Sequence, residues 1–154
     1  IFVLNPGGDT SCQTHTGYTS RDLNTMSLVM RMEFCEFTLL LTGDAGEAQL
    51  GALLRAGEDL EANVLKVPHH GARDALNPEI IDSVMPQVSV ISVGPNAFSH
   101  PAPATVTALE AAGSMVFRTD LDGAVIVRSD GQHISVRSVA SQRLVRVSHE
   151  RGLR

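Results

Sequence analysis

Three short stretches hold most of the side chains able to do acid–base or metal chemistry: LLLTGDA at 39–45, LKVPHHGARDA at 65–75 and VGPNAFSHPAP at 93–103. Each leaves an apolar run and ends in polar residues. Asp44 directly follows such a run and precedes a helical pattern. It either caps that helix or stands as a carboxylate at a buried strand end, suited to a hard or borderline cation. Gly43 lets the backbone come close to a bound group. His69 and His70 are adjacent and followed by Gly71. On an extended backbone they point in opposite directions, so one can face a metal and the other a substrate or a supporting group. His100 sits in a proline-bracketed loop, where Asn96 and Ser99 add hydrogen-bond donors for a substrate.

Taken singly, each stretch also reads as a helix cap, a core histidine or a surface loop. Together they fall at the carboxyl ends of strands, where ligands collect in open α/β sheets, and the combination points to a metal or phosphate site. No glycine-rich phosphate loop, GxGxxG or GxSxG motif occurs. His15, His133 and His149 have no partners nearby in sequence and read as surface residues.

The elements that must position these residues alternate between strands and helices. Strands are expected at 26–34, 37–43, 63–68, 87–94, 114–119, 123–129 and 133–139. Helices are expected at 46–57, 77–85 and 104–113. Asn77 and Pro78 mark the start of the second helix, and DLDG and SDGQ supply turns between the last strands. This is a βα alternation finished by a meander, an α/β (α+β) fold with a mixed sheet and flanking helices. Residues 6–24 form a long loop rich in Gly, Thr, Ser and Asp. Residues 1–140 read as one domain and 141–154 as a flexible basic tail. The 154 residues, 43% of them hydrophobic, suffice for one core.

Several function classes fall away. With no Trp and one Tyr, aromatic platforms for single-stranded nucleic acid are scarce. A net charge of −5 argues against a general nucleic-acid coat. The charge is uneven: Arg137, Arg143, Arg146, Arg151 and Arg154 lie in the last eighteen positions against one acid, Glu150. A solvated end is the ordinary reading of such a tail, with polyanion binding as the other. The longest apolar run, FTLLL, is too short to cross a bilayer. Cys12 and Cys35 form no CxxC pair, which leaves a disulfide open. The opening IFVLNP, without an initiator Met, reads as a piece cut from a longer chain.

The order of NTMSLVMRMEF, LLLTGD, LKVPHHG, ISVGPNAFSHP and FRTDLDGAVIV resembles the C-terminal half of a metallo-β-lactamase-fold domain. It is most similar to that of ComEC-type competence (DNA internalisation) proteins and their stand-alone hydrolase relatives. The resemblance runs from about Asn5 to Val127. It implies an αββα sandwich with two divalent metal ions, zinc or manganese, and hydrolysis of esters or phosphodiesters. It matches Asp44 to the carboxylate that bridges the metals and His69 to a late histidine ligand. His70 becomes a neighbour that contacts substrate or exchanges roles with His69. His100 resembles the histidine of the family's GHP segment, a phosphate contact or proton donor, and Asn24 and Ser27 match a structural NxxS strand start.

The implied function is cleavage of a DNA strand during uptake, in a soluble domain of a membrane-embedded parent at the inner or cytoplasmic membrane. A stand-alone cytoplasmic small-molecule hydrolase and an inactive fragment are the alternatives. The sequence departs from the family in lacking the HxHxDH motif that supplies the first metal's ligands, and in carrying Ala72, Arg73 and Ser99. Half a sandwich leaves one sheet face unpaired, so low stability or a dimer through that face is expected.

Overall fold

A six-stranded mixed sheet carries the structure. A computed structural model describes residues 2–5, 24 and 26–148. Strand β1 (Phe2–Asn5) pairs antiparallel with β2 (Val29–Phe34), and β2 pairs antiparallel with β3 (Phe37–Leu41). Strands β4 (Val64–Lys66), β5 (Val88–Ile91) and β6 (Met115–Arg118) then continue parallel to β3, in sequential order across the sheet. A second sheet is an antiparallel meander of β7 (Val125–Ser129), β8 (His133–Ser138) and β9 (Leu144–Ser148).

Parallel strands need long crossovers, and the sequence supplies helices for them. Helix α1 (Glu47–Arg55) joins β3 to β4, α2 (Pro78–Val84) joins β4 to β5, and α3 (Pro103–Ala111) joins β5 to β6. The Asn77 side chain accepts from the Ile80 N–H at 2.9 Å and Pro78 opens α2, as expected of that pair. Met85 closes α2 in a left-handed conformation. A single turn, α4 (Thr119–Asp122), occupies the position where a plain turn was expected.

The core lies in two layers. Leu50 and Leu53 of α1, Ile80, Ile81 and Val84 of α2 and Leu109 of α3 pack on one face of the large sheet, against Val29, Leu40, Leu65 and Ile91. On the opposite face Val64, Val88 and Phe117 meet Ile134 and Val136 of the meander. The molecule is therefore a helix–sheet–sheet sandwich, in agreement with the expected mixed α/β class. Burying a side chain such as Phe117 or Leu40 contributes about 1.5–3 kcal/mol each.

Two expectations change. The tail assigned to 141–154 begins with a strand: β9 alternates Val145 and Val147 inward, a period-2 pattern hidden in the sequence by its arginines. Arg143 fixes its start, donating to the Val116 carbonyl at 2.9 Å with its guanidinium 4.2 Å from the centre of the Phe117 ring. The unpaired sheet face is smaller than foreseen, because the chain's own meander covers β3 to β6. The apolar strip that remains runs along β2 through half-buried Met30 and Met32 to exposed Phe34. The loop 6–23 with Cys12 and His15, and His149, Arg151 and Arg154, lie outside the described residues. No helix among the described residues is long and apolar enough to cross a membrane.

Candidate functional site

Strands β3, β4 and β5 run parallel with Leu41, Lys66 and Val90 level, so the three polar stretches leave the sheet at the same end. The cap of α1 is Gly46, whose N–H donates to the Gln49 side chain at 3.0 Å. Asp44 is therefore not spent as a helix cap. Its backbone N–H donates to Ser27 Oγ at 3.2 Å, giving Ser27 the structural role expected of it. Gly43 has φ +54°, and a Cβ there would stand 3.2 Å from the Ser27 Cβ.

Lys66 is a component that the reading of the sequence passed over. Its Nζ donates to the Gly43 carbonyl at 2.7 Å, and the same carbonyl accepts the His69 N–H at 3.2 Å. Thr42 Oγ1 donates to the Lys66 carbonyl at 2.7 Å. Burial holds the Lys66 amine below its ordinary 10.5, while the nearby Asp44 charge pulls it the other way. A lysine inside the apolar run VLKV was the available sign: a charged group in a central strand needs a partner.

The backbone at the histidine pair is not extended. Pro68–Gly71 curls into a tight turn in which His69 (φ 46°), His70 (φ 54°) and Gly71 (φ 77°) are all left-handed. Two histidines in this region carry strain of roughly 1–3 kcal/mol each. The curl turns the side chains differently from the alternation expected of a strand. His70 Nε2 comes to 3.7 Å from Asp44 Oδ1, and the His69 ring meets the His100 ring edge-on at 5.6 Å. His70 Nδ1 lies 2.7 Å from the Ser92 carbonyl, which can only accept, so Nδ1 carries a proton. Nε2 is left facing Asp44, and a metal-bound histidine commonly has its other ring nitrogen held by a carbonyl in this way.

The loop after β5 is built around Asn96. Its Nδ2 donates to the Gly94 and His100 carbonyls, each at 2.9 Å, and its Oδ1 accepts the Phe98 and His100 N–H groups, each at 3.0 Å. All four bonds an amide can make are used. Asn96 therefore organises the loop and has no donor left for the substrate contact expected of it. Ser99 is exposed with φ 59°, and Phe98, 77% exposed, stacks on His100 with ring centres 5.7 Å apart. The loop is docked on the histidine turn: the Ala102 N–H donates to the Gly71 carbonyl at 2.8 Å and Thr105 Oγ1 to the Ala72 carbonyl at 3.0 Å.

The structure thus gathers Asp44, His69, His70 and His100 at one sheet end, with Lys66 beneath. The side chains of His70 and Asp44 are 47% and 40% exposed, open to a ligand. Their 3.7 Å separation is close to the about 3.4 Å between two ligand atoms on a tetrahedral zinc. As donors the two fit a divalent cation. A pair of metal ions needs more than this, and among the described residues no group of three or more metal-ligating side chains is assembled. The expected dinuclear centre is not completed by these residues.

The class so defined is a mixed α/β sandwich with a carboxylate–imidazole pair at its parallel strand ends. No family model matches the chain. The chain is similar to ComE operon protein 3 of Bacillus subtilis (strain 168), 32% identical over 106 residues, which are 68% of this chain and 14% of that protein. It is also similar to Competence protein ComA of Neisseria gonorrhoeae, 35% identical over 108 residues, 68% of this chain and 15% of that protein. The chain thus spans only a small part of the length of the competence proteins it matches.

Proposed function

We propose that this chain forms part of a metal-dependent phosphodiester hydrolase acting on DNA during uptake. The observation that carries the reading is the Asp44–His70 pair, with His70 Nδ1 tied to Ser92 and Nε2 facing Asp44, in a chain similar to competence proteins. A divalent cation, zinc or manganese, supplies charge stabilisation to an attacked phosphoryl group when bound. Asp44 and His70 would hold it, and a complete coordination shell needs further ligands. His69 and His100 present imidazole N–H groups to phosphate oxygens, and His100 is the proton donor to a leaving oxygen. Lys66 holds the Gly43 carbonyl and thereby the backbone that carries Asp44. The parent is membrane-embedded, with this domain outside the bilayer.

The test is cleavage of single- and double-stranded DNA with added manganese or zinc, by the chain and by any longer product of its gene. The reading expects cleavage that Asp44→Ala and His70→Ala remove and that chelation stops. Cleavage that survives both substitutions would refute it, as would the absence of cleavage in every form tested.

A further inference from the structure

The meander turns one face inward to the core and the other to solvent. In β8, Ile134, Val136 and Ser138 are buried while His133 and Arg137 are exposed. The register places Arg128 of β7 and Arg146 of β9 opposite Ser135, one on each side, and both are exposed. With strands about 4.8 Å apart, the two arginines stand about 9–10 Å from each other, and Arg137 follows two residues along β8. Strand residues on this face include no acid.

Three arginines elsewhere are engaged, while exposed Arg55 and Arg73 have no ion pair among the described residues. Arg31 pairs with Glu33 and Asp59, Arg118 with Asp120, and Arg143 with the Val116 carbonyl and Phe117. Among the described residues no carboxylate lies within ion-pair distance of Arg128, Arg137 or Arg146. Three unpaired like charges on adjacent strands repel one another, and they do so in a chain of net charge −5. A concavity of about 740 Å³ opens between Arg128, Ser135 and Arg146, with Asp130 and His133 at its end. The Asp130 carboxylate is taken up by its own turn, accepting the Gln132 and His133 N–H groups at 2.9 and 2.7 Å.

We infer that the outer face of the β7–β8–β9 sheet binds the phosphate backbone of DNA through Arg128, Arg137 and Arg146. The choice of DNA among polyanions rests on the proposed function; the surface itself rests on its charge and register. It is separate from the histidine site. Gly131 accepts the Glu36 N–H, and Gln87 donates to the Ser148 carbonyl, which places the arginine-flanked concavity at the opposite end of the strands.

Binding of a labelled single-stranded oligonucleotide is measured by fluorescence anisotropy in EDTA over a salt series. Each phosphate neutralised adds about 0.7 to the slope of log K against log salt, so three contacts give a slope near about −2 and roughly a 20-fold loss between about 50 and about 200 mM salt. Arg128→Gln, Arg137→Gln and Arg146→Gln each remove about 0.7 of slope, and the three lysine replacements together keep it. Each single glutamine variant is a separate test, so the misfolding of one leaves the others. No binding at low salt, or an undiminished slope in the glutamine variants, overturns the inference. So does equal, arginine-dependent binding of polyglutamate, which would mark an acidic protein segment as the partner. Without metal the result is independent of hydrolysis: cleavage can fail with this binding intact, and binding can fail with cleavage intact.

Discussion

Gly71 joins the two loops that bring the histidines together, and replacing it with alanine separates two physical costs. At φ 77° an added Cβ is strained, and it would lie 2.7 Å from the Pro101 Cβ. Carbon atoms in good contact sit about 3.5–4.0 Å apart, so the Pro101 loop must retreat by about 1 Å. The left-handed strain costs about 1–2 kcal/mol, and overpacking adds about 1–3 kcal/mol. The total of about 2–5 kcal/mol corresponds to a fall in Tm of roughly 5–15 °C for a domain of this size.

Gly57 is the matched control, with φ 83° and open space for 4 Å around the position an added Cβ would take. Gly57→Ala should lose only the strain part, about 1–2 kcal/mol. Urea unfolding of both variants gives the difference directly. Losses equal to within about 0.5 kcal/mol would mean that the loops are not packed as described. The retreat also pulls His100 from its edge contact with His69, so Gly71→Ala should weaken any ligand that needs both.

Three further perturbations probe other parts of the molecule. Turn N–H groups hold the exposed Asp130 carboxyl down to about 2 from 3.8, so its contribution is complete above the higher value and is lost as pH falls toward the lower. The denaturant midpoint should drop across that window, and Asp130→Asn should flatten the drop; parallel curves would contradict it. Arg143→Ala should cost about 1 kcal/mol and speed amide exchange along Leu144–Ser148, whereas unchanged protection there would deny Arg143 its role at β9. Asn96→Ala should expose the Phe98 and His100 amides to rapid exchange with little loss of global stability, and protection equal to wild type would show that another group organises the loop.

Much of the architecture was legible because local rules agree with the fold. The apolar runs at 37–41 and 64–66, the Asn77–Pro78 helix start and the glycines after α1 and α3 all sit where the structure uses them. Strand β9 was hidden because its outward positions are arginine, leucine and serine, so composition read as a tail while the alternation read as nothing. At the site, Asp44 and the histidines were legible from their place at strand ends. Their mutual arrangement was not, since it depends on two successive left-handed histidines, which no periodic pattern announces. Asn96 illustrates the same limit: its residue type suggests a substrate donor, and only the loop's closure shows that its four bonds are used internally. The identity of the Ser92 carbonyl as the partner that sets the His70 tautomer depends on tertiary contact alone.

The functional reading turns on Asp44 and His70 acting together as cation donors. Zinc and manganese binding by calorimetry, with elemental analysis of the refilled protein, tests this on the wild type, Asp44→Ala, His70→Ala and His69→Ala. Metal uptake that Asp44→Ala and His70→Ala abolish, and that His69→Ala reduces less, is the expected result. Uptake indifferent to Asp44 and His70, or no uptake by the wild type, would contradict it.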